Sequence, residues 1–313
     1  MIKSICLGNC RSILLSYGTV ATGSPIADLR RACTSFAQWI ATFLFGCLVF
    51  ATGASAQSPA LCDAGGALDA EISAISDDGI ITLRDGLLLS LANIVWPDRV
   101  EPRLRAGLAS GLLETLNGQK VQWKPVAGPD RWGATPAFLF VQEPAHGFQM
   151  PLPPFWLQAG LVEAGLVPAW PDVLAGHCWT LLLEHEATAI ERRRGHWAPR
   201  VQARRIASIV ADPASHAGRR LAIHWRVASV RPWRDLLFLN ASSEGRKGLA
   251  VSLTEHTRAA LTARGVIPGQ LAGVRILSRI TLPSEGLRRA RIESPDHLTV
   301  SSSGQHRERS SQR

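Results

Sequence analysis

The feature that most constrains the fold is a series of short apolar runs, between residues 71 and 141, that are broken by turn residues. The first breaks are Asp77-Asp78-Gly79 and Asp85-Gly86, and both Asp and Gly tolerate the unusual backbone angles of tight turns. Apolar runs this short, bounded by turn residues, are typical of β-strands rather than helices. The segment up to Ile94 therefore predicts three strands in succession.

A different period follows these strands. Leucines recur at every fourth position from Leu104 to Leu116, which predicts a helix over 103–117 that ends at Asn117-Gly118. The next predicted elements are strands at 121–123 and 137–141 and helices at 155–165 and 179–194. This order indicates a mainly β chain with helices (α+β), built as a small closed β-barrel of the oligonucleotide-binding (OB) type.

The N-terminal segment predicts export. Arg30 and Arg31 precede an apolar run at 36–51, which is followed by Ala54-Ser55-Ala56. A charged start, an apolar centre and a small-x-small site form a secretory signal peptide. We expect residues 1–56 to be a leader and signal peptide, the mature chain to be periplasmic or secreted, and no membrane span to remain. Residues 1–29 are either a long leader or the result of a mis-assigned start.

Removal of residues 1–56 leaves two cysteines, Cys62 and Cys178. In an oxidising compartment two cysteines predict a disulfide, and the alternative is a pair of buried free thiols. Metal-binding Cys/His spacings do not occur, which argues against a structural zinc ion.

The charge allows two interpretations. Lys and Arg number 34 against 25 Asp and Glu, a formal net charge of +9, and arginine far outnumbers lysine. Arginine binds phosphate with two parallel hydrogen bonds, so one interpretation is a nucleic acid or another polyanion as partner. Because the arginines are scattered along the chain, the other interpretation is an ordinary surface.

Five sequence blocks, in order, carry a resemblance to a known family. They are Asp77-Asp78-Gly79-Ile80, the segment 90–98, Asp130-Arg131-Trp132-Gly133-Ala134, Gly165-Leu166-Val167, and Glu186-Ala187-Thr188-Ala189 leading to Gly195-His196-Trp197. This series resembles the staphylococcal nuclease (thermonuclease) family. The resemblance implies an OB-fold nuclease-like module over 62–198.

The resemblance also implies which positions would carry chemistry. Phosphodiester hydrolysis in this family uses a calcium ion held by carboxylates, a carboxylate base and two arginines that neutralise the phosphate. The two arginine positions fall on Ser90 and Ala134, and the metal-binding Asp positions fall on Gly79 and Val95. The general-base Glu falls on Asp98, which keeps the charge. Most of the expected charges are therefore missing.

Neighbouring residues provide possible replacements. Asp77 and Asp78 are the possible calcium ligands, and Arg131 is a possible substitute cation. Trp132 is the candidate for stacking against a substrate base.

The chain beyond residue 199 predicts a second barrel. Leu221, Ile223, Trp225 and Val227 alternate with polar or small residues, as a half-buried strand requires. Further strands and one helix follow, so residues 200–300 are expected to form a second small OB-like barrel. This region resembles a domain that follows the nuclease module in some alphaproteobacterial exported proteins. Residues 301–313 contain no apolar side chain and are expected to be disordered.

The sequence therefore predicts an exported nuclease-like protein that is catalytically degenerate and has a binding or scaffolding role in the cell envelope, with an unidentified envelope protein as one possible partner. Two alternatives stay open. The first is a calcium-dependent phosphodiester-hydrolysing nuclease that uses replacement arginines. The second is nucleic-acid binding without cleavage.

Overall fold

The computed structural model describes residues 62–97, 101–117, 119–142, 154–171, 178–243, 248–284, 288–292 and 294–301. The predicted signal peptide, the predicted tail beyond Ser301, and Asp98 lie outside the described residues. The described residues belong to a single compact unit that spans Ser58–Arg313. Within the described residues, the helices are too short or too polar to cross a membrane.

The architecture is mixed α+β, with a strongly curled half-barrel sheet and several further sheets, which confirms the predicted α+β class. The strands of the first half are β1 (Leu68–Ala70), β2 (Ile72–Ile75), β3 (Ile80–Leu83), β4 (Leu88–Leu91), β5 (Val121–Pro125), β6 (Ala134–Val141) and β7 (Phe155–Trp156). They form one seven-stranded sheet in the order β1-β5-β6-β4-β3-β2, with β7 paired to β6. The OB type itself stays a prediction.

Three helices accompany this sheet: α1 (Pro102–Leu116), α2 (Leu157–Glu163) and α3 (Cys178–Glu191). They match the predicted helices within a few residues. Helix α1 connects β4 to β5, and β4 then pairs parallel with β6. Of the regularly spaced leucines of α1, Leu112 and Leu116 are buried in the core of the first sheet.

The second half contains helices α4 (Pro199–Ala211) and α5 (Glu255–Ala263), and the strands β8 (Arg220–Arg226), β9 (Ser229–Trp233), β10 (Leu236–Asn240), β11 (Ala250–Leu253), β12 (Arg275–Thr281), β13 (Arg289–Ile292) and β14 (Leu298–Val300). These strands form a four-stranded sheet, β13-β11-β10-β9, and a three-stranded sheet, β14-β12-β8. One apolar core lies between the two sheets and includes Ile209 of α4.

A buried ion pair joins the two halves. Glu186 of α3 and Arg279 of β12 form a salt bridge, and both side chains are almost completely buried. Arg279 Nε donates to the Ala169 carbonyl oxygen at 3.0 Å, and the Ala169 amide donates to Glu186 Oε1 at 2.9 Å. Burial raises the pKa of the Glu186 carboxyl, while the Arg279 charge opposes this rise. The charge of each partner is thus compensated inside the protein.

Cys62 and Cys178 form a disulfide with a Cα–Cα distance of 5.4 Å, as predicted. The bond ties the start of the described chain to the first residue of α3. Both cysteines are buried beside Phe138 and Phe140 of β6. The disulfide therefore closes the first half around its central strand.

Candidate functional site

The turn between β2 and β3 lies at the centre of the candidate site. Gly79 has a φ of 78°, a left-handed conformation that favours glycine. A Cβ atom at this position would come within 2.7 Å of Cγ of Trp96. The Trp96 indole also donates from Nε1 to the Asp77 carbonyl oxygen at 2.8 Å. The indole therefore closes position 79, where the resemblance would place a metal-binding aspartate.

Arg105 of α1 occupies the other side of this turn. Its Nε donates to the Asp77 carbonyl oxygen at 3.1 Å, and its guanidinium group forms a salt bridge with the Asp78 carboxylate. The Arg105 side chain is mostly buried, whereas about half of Asp78 is exposed. The charge of Asp78 is thus compensated by an arginine that sequence reasoning missed.

The turn opens onto a cleft of about 450 Å³. The first half of the chain lines the cleft with Asp78, Val95, Trp96, Pro97 and Arg105, and the second half lines it with Ala217, Arg219 and Arg220. Three arginines therefore reach the cleft, two of them from outside the predicted nuclease-like module. The Arg220 guanidinium also lies 5.5 Å from the centre of the Trp170 ring.

A buried network behind the cleft fixes the start of α1. Arg205 of α4 forms a 2.8 Å salt bridge with Glu101, the residue that precedes α1, and its Nη1 lies 2.8 Å from Nδ1 of His196. Nε2 of His196 lies 3.0 Å from the Ala222 carbonyl oxygen. Burial and the Arg205 charge lower the pKa of His196 to about 3. The ring is therefore neutral, and Nη1 of Arg205 lies close to both ring nitrogens, 2.8 Å from Nδ1 and 2.7 Å from Nε2.

The two positions at which the resemblance would place arginines, Ser90 and Ala134, carry no charge. Ser90 lies in β4 between Ile80 and Pro136 of the neighbouring strands, and Ala134 is the first residue of β6. The metal-ligand position Val95 lines the cleft with an apolar side chain.

Arg131 and Trp132 lie in a different turn, at the start of β6. Asp130 Oδ1 accepts from the amides of Trp132 at 2.8 Å and Ala134 at 3.0 Å, which shapes this turn. The Arg131 guanidinium lies 4.2 Å from the centre of the Trp132 ring, and 72% of Trp132 is exposed. Among the described residues that line the cleft, neither of them is present. The structure does not bring Arg131 to Asp78.

The described residues do not fit a calcium ion at the cleft. Calcium takes six to eight oxygen ligands. Nowhere in the described part of the chain do three His, Cys, Asp or Glu side chains form a group that could hold a metal ion. Asp78 is paired with Arg105, and position 79 is closed by Trp96. The calcium site at Asp77 and Asp78 stays a prediction that these contacts do not favour.

A comparison of the chain with protein-family models found no match, and a comparison with curated proteins also found none. The resemblance to staphylococcal nucleases therefore depends on the five sequence blocks alone.

Proposed function

We propose that this chain is an exported, OB-type nuclease-like protein that binds a partner in the cell envelope and does not cleave phosphodiesters. The proposal rests on the turn Asp77-Asp78-Gly79, which the side chains of Trp96 and Arg105 contact from both sides. Trp96 covers the position of one metal-binding aspartate, and Arg105 compensates the charge of Asp78. The residues that would bind a metal ion instead hold the turn against α1.

The missing cations support the same proposal. In a preorganised site, removal of one donor that stabilises the transition state lowers the rate by about 10²–10³. Both arginine positions are neutral here, at Ser90 and Ala134, and the metal-ligand position is Val95. The three losses together are expected to leave no useful hydrolysis.

Export is part of the proposal because of two observations. The signal-peptide pattern at 1–56 predicts translocation. The disulfide between Cys62 and Cys178 is of a kind that persists in oxidising compartments and is rare in the reducing cytosol.

The proposal is tested by a nuclease assay on single-stranded DNA and RNA with calcium, using the chain from residue 57 onward. We expect no cleavage above the rate measured for the Asp98→Ala variant, because the site lacks its metal ligands and cations. A staphylococcal nuclease serves as the positive control. Cleavage by the wild-type chain that disappears in Asp98→Ala would show that the proposal is wrong.

One observation favours a second candidate, a calcium-dependent nuclease with replacement arginines. Arg105, Arg219 and Arg220 all reach the cleft that Asp78 lines, so cations are present although the family positions have lost theirs. This candidate requires calcium binding that is detectable by calorimetry and is lost in Asp78→Asn. Calorimetry that shows no heat of calcium binding would exclude it.

A further inference from the structure

The outward face of the four-stranded sheet β13-β11-β10-β9 carries arginines and aromatic rings. Alternate residues of these strands, such as Leu239, Val251 and Ile292, point into the core. The residues between them form the opposite face, which we call the arginine–aromatic face: Arg231, Trp233, Phe238, Arg289 and Arg291. The side chains of Arg231, Trp233, Arg289 and Arg291 are exposed. The alternation places these residues on the side opposite the core, where Phe238 is half-buried and the neighbouring residues Asn240, Ala250 and Ser252 are buried.

The two rings of this face lie side by side. The Trp233 and Phe238 ring centres are 6.2 Å apart with an angle of 59° between the ring planes. The guanidinium group of Arg234 lies 4.6 Å from the centre of the Trp233 ring, and 53% of Trp233 stays exposed. A large aromatic surface is therefore accessible at the edge strand β9.

Arg289 crosses the face toward these rings. Its strand, β13, is separated from the strand of Phe238 by β11, and neighbouring strands lie about 4.8 Å apart. The Arg289 guanidinium is nevertheless 5.8 Å from the centre of the Phe238 ring. Its side chain must therefore lie along the sheet over β11. Ala250 and Ser252 of β11, on the same face, are 4% and 6% exposed, respectively.

The charge of the face is uniformly positive. Within the part of the chain that the structure describes, Arg231, Arg289 and Arg291 form no salt bridge with a carboxylate. Pairing across the strands places Arg231, Phe238 and Arg291 in one row, with Ser252 between the last two. An aromatic ring is thus flanked by an arginine on each side.

We propose that the arginine–aromatic face binds single-stranded nucleic acid. Bases stack on Trp233 and Phe238, because aromatic side chains accept any base on their π-face. Phosphates are neutralised by Arg231, Arg289 and Arg291, whose planar guanidinium groups match phosphate oxygens. An anionic membrane is a weaker match, because only Trp233 on this face is a large exposed apolar side chain and membrane-surface binding requires a broad apolar face.

The surface lies outside the nuclease-like module and shares no residue with the cleft lined by Asp78 and Arg105. The proposal therefore goes beyond the proposed function and does not depend on it. Oligonucleotide binding tests this face and the nuclease assay tests the cleft. A negative result in one measurement therefore leaves the other proposal unaffected.

The test for the rings is fluorescence anisotropy with labelled oligo-dT and oligo-rU strands of about 16 nucleotides, the upper site size of one OB-type barrel. The protein is the chain from residue 57 onward. We expect Trp233→Ala to weaken binding by about fivefold or more, the effect of losing one base–aromatic stack. Trp233→Phe should retain most of the affinity, because the ring is kept.

The matched control is Phe155→Ala, because Phe155 is also an exposed aromatic residue but lies in β7 of the first half. Its affinity should equal that of the wild-type chain. Urea unfolding of each variant shows whether the fold is intact. An equal loss of affinity in Phe155→Ala and Trp233→Ala would place the site elsewhere and overturn the proposal.

The test for the arginines is the salt dependence of binding. Each phosphate contact on a single strand contributes about 0.7 to the slope of log K against log salt concentration. The double variant Arg231→Ala/Arg291→Ala should therefore reduce the slope by about 1.4. The control Arg84→Ala/Arg264→Ala removes the same charge from exposed arginines that pair with Glu71 and Asp296, and its slope should not change.

Three further outcomes would contradict the proposal. The first is the absence of oligonucleotide binding by the wild-type chain at low salt. The second is a slope that is equal in the wild-type chain and in Arg231→Ala/Arg291→Ala. The third is binding to phosphatidylglycerol vesicles without binding to either oligonucleotide, which would assign the face to a membrane surface.

Discussion

At the scale of single residues, His196 is a buried side chain whose hydrogen bonds depend on its protonation state. Nε2 of the neutral ring lies 3.0 Å from the Ala222 carbonyl oxygen, and Nη1 of Arg205 lies against both ring nitrogens. Protonation would place a second cation beside the Arg205 guanidinium inside the protein. Burial and this repulsion lower the pKa of His196 from its ordinary value of 6.5 to about 3.

The lowered pKa predicts acid sensitivity. Because the unfolded chain binds the proton more readily, the folded state is favoured most above pH 6.5, and this contribution is lost as the pH falls toward 3. The expected loss is about 1.4 kcal/mol per pH unit. Between pH 6.5 and pH 4.5, the free energy of unfolding of the wild-type chain should therefore fall by about 2 to 3 kcal/mol more than that of His196→Gln, which keeps a donor and an acceptor.

This prediction is checked by urea unfolding of both proteins at the two pH values. His216 and His224 also have lowered pKa values because of burial, but both are present in the two proteins, so their contributions cancel. Equal losses in the wild-type chain and in His196→Gln would show that His196 does not cause the acid sensitivity.

The residues of the candidate site were partly predictable from the sequence. The neutral positions Ser90, Val95 and Ala134 could be read from the ordered blocks, since each lies at a fixed spacing from a turn. Arg105 and Arg220 could not, because they reach the cleft from a helix and from the second half of the chain. Sequence spacing carries no information on such distant contacts.

At the scale of secondary-structure elements, the contact between α3 and β12 contains a buried ion pair beside an apolar cluster that includes Ala189 and Leu277. Arg279→Met would leave Glu186 buried without its cation, and loss of one partner from a buried pair lowers stability by about 3 to 5 kcal/mol. Glu186→Leu/Arg279→Met should be less destabilised than Arg279→Met, because it removes both charges. Urea unfolding measures both free energies.

The control for the ion pair is Arg264→Met. Arg264 pairs with Asp296 at 2.6 Å, but both side chains are exposed, and pairs of this kind contribute about 0 to 1 kcal/mol. A double variant at positions 186 and 279 that is less stable than Arg279→Met would contradict the desolvation account.

The elements that sequence reasoning missed have specific causes. In α4 the apolar residues Ile206, Ile209 and Val210 lie in the last half, after an arginine-rich start in which Val201 is the only large apolar residue, although the helix as a whole is amphipathic. In β9 Pro232 interrupts the alternation, and the strand is tolerated because it is the edge of its sheet. The helices and strands with a regular apolar period, such as α1 and β8, were predicted.

At the scale of the whole molecule, the disulfide between Cys62 and Cys178 contributes to the free energy of unfolding. It joins residues that are 116 positions apart, and removal of a native disulfide lowers stability by about 2 to 5 kcal/mol. Cys62→Ser/Cys178→Ser should show this loss in urea unfolding of the chain from residue 57 onward. Reductant should destabilise the wild-type chain by a similar amount and leave the double variant unchanged. If reductant also destabilised the double variant, the reductant would be acting through something other than this disulfide.

The same bond has a mechanical consequence. When a force stretches the protein from its two ends, tension that enters at Cys62 passes directly through the sulfur atoms to Cys178. The chain between the cysteines, a sequence separation of 116 or about 400 Å when extended, carries no tension and adds no length to the stretched molecule. The segment between the two cysteines thus behaves as a closed loop under load, and the chain from α3 onward extends.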